Sequence, residues 1–233
     1  MATFVLIHGS MHGAWCWRDL IPEIERRGHV VIAPDLPCED AEAGLDVYAA
    51  VVEEKLSAAP RGEELTLVGH SLGSRTVPVV AENHPEARMV FLCSAPTPLG
   101  PIDPAAFSGM ITSAYAKADF DERADGAQRV SKESAGPLFF HDCSEATASW
   151  ASDRLRWQGP KPLLEASPLT AWPDRPMHMI VARDDRVARA EWLLGEAPRW
   201  LTGALPIVLA GGHSPMLSQP ALLAEALIDG TLG

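Results

Sequence analysis

Apolar positions along this chain fall into short β-branched runs separated by stretches with helical spacing. Strands are expected at 3–7 (Thr3-Phe-Val-Leu-Ile), 29–34, 64–69, 88–94, 177–182 and 205–210. Apolar runs of this length, bounded by turn residues, suit a parallel sheet covered on both faces. Between them the spacing predicts helices at 15–27, 45–58, 72–84, 187–197 and 219–229. Leu20, Ile21 and Ile24 share a face of the first, which Gly28 stops, and Leu45, Tyr48, Val52 and Leu56 line the second. Pro78 lies inside the third and predicts a kink, because it removes an N–H from the helix. The alternation predicts an α/β fold with a doubly wound, mostly parallel sheet of about six strands.

The interval from Pro96 to Trp172 breaks the alternation and is too long for a loop in a compact domain. Helices are expected within it at 103–117, 121–134 and 144–157. The chain then divides into a first core part, 1–95, an inserted helical cap, 96–175, and a second core part, 176–233. An insertion at this point of such a sheet overlies the C-terminal ends of the strands, where it can act as a substrate lid. Its apolar residues, including Phe107, Met110, Ile111, Phe139, Phe140, Trp150 and Trp157, serve as cap core or substrate contacts.

Chemistry concentrates at Gly69-His-Ser-Leu-Gly73, which follows an apolar strand and opens a helix. Gly-x-Ser-x-Gly in that context is a nucleophile elbow, a sharp turn that lifts the Ser71 hydroxyl clear of the backbone. Serine needs a base and an orienting acid. Met177–Ala182 runs into Arg183-Asp184-Asp185, and Leu205–Ala210 into Gly211-Gly-His213. The order Ser71, Asp, His213 is that of the α/β-hydrolases and differs from those of chymotrypsin and subtilisin. In this architecture the loop after the first strand, here His8-Gly9-Ser10, and the residue after the nucleophile supply the oxyanion-hole amides, so Ser10 and Leu72 are the expected donors.

Phe4-Val-Leu-Ile-His-Gly, His12-Gly-Ala-Trp-Cys-Trp17, the elbow and Gly211-Gly-His-Ser-Pro-Met-Leu together resemble the methylesterase and hydroxynitrile lyase branch of the α/β-hydrolase superfamily. The resemblance spans the core and fades between about 96 and 175. It implies the α/β-hydrolase fold, Ser71 as nucleophile, His213 as base, and Asp185 as orienting acid, because Asp185-x-Val187 matches the superfamily pattern. It also implies Ser10 and Leu72 N–H as oxyanion donors. Hydroxynitrile lyases place threonine after the His of the first loop and lysine after the catalytic His, where this chain has Gly9 and Ser214. The resemblance therefore favours a serine carboxylesterase acting on small apolar or aromatic esters. A hydroxynitrile or carbon–carbon lyase with the same triad, or a ligand-binding receptor on a hydrolase fold, is the alternative. The apolar cap implies that charged acyl groups are disfavoured.

With 19 basic and 31 acidic residues the net charge is −12 and the basic residues are unclustered, which excludes nucleic acid and anionic membrane as expected partners. No apolar run approaches the roughly 20 residues of a membrane span, and the N-terminus enters a strand without a signal-like flank. A cytoplasmic protein with a small-molecule ester substrate, no cofactor and no metal is the expectation, and a homodimer is left open. Cys16, Cys38, Cys93 and Cys143 lack metal or redox spacing and read as free thiols, Cys93 as a core residue. Of the histidines, His8 turns the chain, His12 anchors the first loop and His70 packs or bonds locally. His29, His84, His141 and His178 have surface or structural roles. Asp35 reads as a turn residue.

Overall fold

The computed structural model describes residues 1–58 and 64–230. Its first part holds β1 (Ala2–Ile7), α1 (Ile21–Glu25), β2 (Val30–Ile32), α2 (Leu45–Ala58), β3 (Glu64–His70), α3 (Val77–Ala81) and β4 (Ala87–Leu92). Next come α4 (Ser113–Ala116), β5 (Phe120–Glu122), β6 (Gln128–Val130), α5 (Lys132–Phe139), α6 (Glu145–Ser152) and α7 (Lys161–Leu164). The chain then continues through β7 (Met177–Ala182), α8 (Ala190–Trp200), β8 (Ile207–Leu209), α9 (Pro215–Ser218) and α10 (Pro220–Asp229). The main sheet has six strands, all parallel, in the order β2-β1-β3-β4-β7-β8.

Alternation along each strand builds two cores. Phe4, Leu6, Val68, Val90, Leu92 and Ile180 face one way, onto Ile24 of α1 and Leu223 and Leu227 of α10. Val5, Ile7, Leu67, Met89, Phe91 and Val181 face the other, onto α2, α3 and α8. Every residue of β1 is buried, as burial on both faces demands. Register then decides which loops meet. Ile7 pairs with Gly69 and His70 with Leu92, so the turns after β1, β3 and β4 leave the sheet side by side. Ala182 pairs with Leu209, which brings together the loops after β7 and β8. The strand order reverses at β1 and β3, the place where open α/β sheets bind ligands.

Several elements differ from the sequence expectation. The helix over 15–27 is a 3₁₀ turn at Ala14–Trp17 followed by α1. The helix over 72–84 is likewise a 3₁₀ turn at Ser71–Arg75 and then α3. Pro78 stands in the first turn of α3, where no N–H partner is needed, so it starts a helix instead of kinking one. Within 96–175, the stretch 103–117 is helical only at α4, and most of 121–134 is the antiparallel hairpin β5–β6. Gly126, at φ +82°, makes the hairpin turn, a conformation that would break a helix. The third expected helix is the shorter α6. It is capped by Ser144, whose side chain accepts from the Thr147 N–H, just as Ser131 caps α5 by accepting from Ser134. No helix among the described residues is long and apolar enough to cross a membrane.

Candidate active site

At the end of β3 the backbone turns so sharply that Ser71 takes φ +50°, a left-handed conformation costing a non-glycine residue about 1–3 kcal/mol. The neighbouring glycines permit it. A Cβ on Gly69 would lie 2.5 Å from the Ser74 Cα, and one on Gly73 would lie 2.5 Å from the His8 carbonyl oxygen and 2.6 Å from that of Ile7. Ser74 Oγ donates to the Gly69 carbonyl at 2.7 Å and closes the turn.

His213, 1% exposed, donates from Nδ1 to Asp185 Oδ2 at 2.7 Å. The other carboxylate oxygen, Oδ1, accepts from the N–H groups of Val187 at 2.7 Å and Ala188 at 3.1 Å, which fixes the acid in one orientation. Asp184 points elsewhere: its Oδ2 accepts from Gly211 N–H at 3.0 Å and steadies the loop that carries His213. Adjacent side chains leaving a strand end diverge, and here one carboxylate meets the imidazole while the other holds the backbone beneath it.

A cavity of about 220 Å³ opens over the C-terminal ends of the strands. Ser10, Ser71, Leu72 and His213 line it together, with Asp185 behind the imidazole. Phe107, Met110, Ile111 and Phe139 form part of its wall. Phe140 is core instead. Trp150 is held between Arg18 at 3.8 Å and Arg154 at 4.3 Å, and Trp157 sits beside Arg129 at 4.7 Å.

Three buried histidines shape the loops around this cavity. His8 Nε2 accepts from the Leu36 N–H at 3.0 Å and ties the first loop to the segment after β2. His12 Nδ1 donates to the Ser10 carbonyl at 2.7 Å, fixing the residue expected to supply an oxyanion amide. His70 Nε2 donates to the His213 carbonyl at 2.8 Å, supporting the loop that carries His213. Burial pushes His8 down to about 4, His12 to about 3 and His70 well below the usual imidazole range. All three are neutral at pH 7. His84 meets Glu53 of α2 at 2.9 Å through Nε2 and Glu86 at 3.5 Å through Nδ1, the first a pairing that tertiary packing creates. Asp35 accepts from the Ala14 N–H at 3.0 Å and from Arg156 at 2.9 Å, bridging segments instead of making a local turn.

His70, Cys93 and His213 place ligating atoms within 4.8 Å of one another. His213 holds Asp185 through Nδ1 and His70 holds the His213 carbonyl through Nε2, while His70 Nδ1 has no hydrogen-bond partner. Burial, with Asp185 nearby, pushes the Cys93 thiol well above its usual range and away from the thiolate a metal requires.

The sequence reading did not place Met11, Cys93 or Arg75 on the cavity. Met11 at φ +63° and Cys93 at φ +51° join Ser71 as the non-glycine residues with positive φ among those described, and all three line the cavity. Neither residue type signals that conformation. Arg75 is buried one helical turn beyond Ser71.

Comparison with known proteins bears on the family and the fold. Residues 4–226 match the alpha/beta hydrolase family. Norfluorocurarine synthase 1 from Strychnos sp is 41% identical over 90 residues, covering 36% of this chain and 34% of that protein. Methylesterase 1 from Arabidopsis thaliana is 38% identical over 95 residues, 36% of this chain and 35% of that protein. The matched stretch thus spans about a third of those relatives. The crystal structure of polyneuridine aldehyde esterase superposes with a TM-score of 0.82 at 20% identity, covering 98% of both chains, so the whole fold is shared. The chain belongs to the alpha/beta hydrolase family.

Proposed function

We propose that the chain is a cofactor-independent serine carboxylesterase acting on small esters. The observation that carries this reading is the buried 2.7 Å bond from His213 Nδ1 to Asp185, with Ser71 in strained backbone on the same cavity. Ser71 Oγ attacks the ester carbonyl. His213 Nε2 takes its proton and returns it to the leaving alcohol, while Asp185 fixes the imidazole tautomer and stabilises the imidazolium. The N–H groups of Ser10 and Leu72 receive the oxyanion. Water activated by His213 then releases the acid. The segment 96–175 serves as the lid, contributing Phe107, Met110 and Ile111 to the cavity wall.

Lyase chemistry is disfavoured by space at position 9. A Cβ there would lie 2.8 Å from His70 Nδ1 and 3.1 Å from the Ser71 Cβ, so the loop admits no hydroxyl-bearing side chain while His70 keeps its place. Assaying p-nitrophenyl acetate hydrolysis beside mandelonitrile cleavage on one preparation tests the reading. Ester turnover is expected with cyanide release at background, falling on the order of 10⁶-fold in Ser71→Ala and in His213→Ala. Undiminished hydrolysis in Ser71→Ala, or cyanide release without hydrolysis, refutes it.

A further inference from the structure

Among the described residues that line the cavity, none is Asp or Glu, although the chain carries 31 of them. Arg75 is the one permanently charged residue among the described residues that line the cavity, and it is 7% exposed. Its Nη1 donates to the Pro162 carbonyl and its Nη2 to the Glu165 carbonyl at 2.7 Å, both in the α7 segment. Nε is buried with no hydrogen-bond partner. A guanidinium has five N–H groups, so these two bonds leave most of its donor capacity unused. No carboxylate among the described residues lies within ion-pair distance. Glu165 is the acid felt at Arg75, but its own Oε1 is committed to the Leu45 N–H.

A buried cation lacking an ionic partner is costly. The two carbonyls offset only part of that cost. Arg75 also follows Ser71 by four residues on the same short helix, which separates their backbones by about 6–8 Å along the axis. Both residues line the same cavity, so an acyl chain bonded to Ser71 shares that space with Arg75.

From this we infer that Arg75 is a specificity-determining residue that selects esters whose acyl part ends in a carboxylate, with the anion completing the guanidinium's unused donors. The inference rests on the esterase reading and narrows its substrate class. It reverses, for anions, the expectation that the apolar cap rejects charge. A planar guanidinium binds a carboxylate through paired hydrogen bonds, so Lys at this position should recover only part of the effect.

The test compares the p-nitrophenyl monoester of glutaric acid with p-nitrophenyl pentanoate, which differ chiefly in the terminal carboxylate. In the wild-type chain kcat/KM is expected to be at least tenfold higher for the monoester at low salt. In Arg75→Met that preference should fall at least tenfold, mainly through KM for the anionic substrate, with partial return in Arg75→Lys. Equal loss on both esters in Arg75→Met would show that Arg75 only latches α7 and would overturn the inference. So would a wild-type preference for the neutral ester, which decides the matter even if Arg75→Met does not fold. If neither ester is turned over, the esterase reading fails, and calorimetric binding of monomethyl glutarate against methyl pentanoate then decides the inference on its own. Tighter binding of the anion supports it, and equal or weaker binding refutes it.

Discussion

Acidification should unfold this protein through its buried imidazoles, well above the range in which carboxylates titrate. His8 and His12 are each 1% exposed, and burial holds them at about 4 and about 3 when folded. In the unfolded chain both return to near 6.5. As pH falls through 6.5 the unfolded state takes up protons that the folded state refuses, so stability drops with falling pH. The loss begins near pH 6.5 and levels off below the folded values. Protonating His8 would also set an N–H against the Leu36 N–H that Nε2 now accepts. At about 1.36 kcal/mol per pH unit, the gap amounts to about 3 kcal/mol for His8 and about 5 kcal/mol for His12. Together these are comparable with the 5–15 kcal/mol stability of a typical domain, and His70 adds in the same direction. Urea unfolding at half-unit steps from pH 8 to 4 should show stability flat above pH 7. Near pH 5 it should fall by about 2.5 kcal/mol per unit from His8 and His12 alone. His8→Gln and His12→Gln should each remove about one proton from that slope. Constant stability between pH 7 and 5, or an unchanged slope in both variants, refutes the reasoning.

Two further outcomes follow from the site. Asp185→Asn should lower ester turnover by about 10⁴-fold, since it favours the wrong imidazole tautomer. Asp184→Asn retains an acceptor for the Gly211 N–H and should cost little, so steady-state rates showing the reverse ranking would reassign the acid. Gly73→Ala drives a Cβ against two backbone oxygens that cannot rotate away. It should lower stability by about 1–3 kcal/mol and displace the Leu72 amide, and a thermal melt with an ester assay showing neither change would contradict the assigned turn geometry.

The fold was legible in the sequence because a doubly wound sheet writes itself in local periodicity. The runs at 3–7, 64–69 and 177–182 became β1, β3 and β7 almost residue for residue, since strands buried on both faces tolerate little but apolar side chains. The elbow was equally readable, because Gly69 and Gly73 stand where backbone atoms leave no room for a Cβ. The 96–175 segment was less legible. Its elements are short and take their stability from tertiary contacts, so a stretch of helical appearance turned at Gly126 into a hairpin.

What the chain alone determined, then, was the order of the strands along it and the residue types of Ser71, Asp185 and His213. Which carboxylate meets the imidazole became geometry only once β7 and β8 were in register, with Asp185 under His213 and Asp184 on Gly211. The neutral histidines and the unpaired cation at Arg75 were beyond any sequence pattern. Burial, and the commitment of Glu165 to the Leu45 N–H, depend on residues distant in the chain, and only packing brings those residues together.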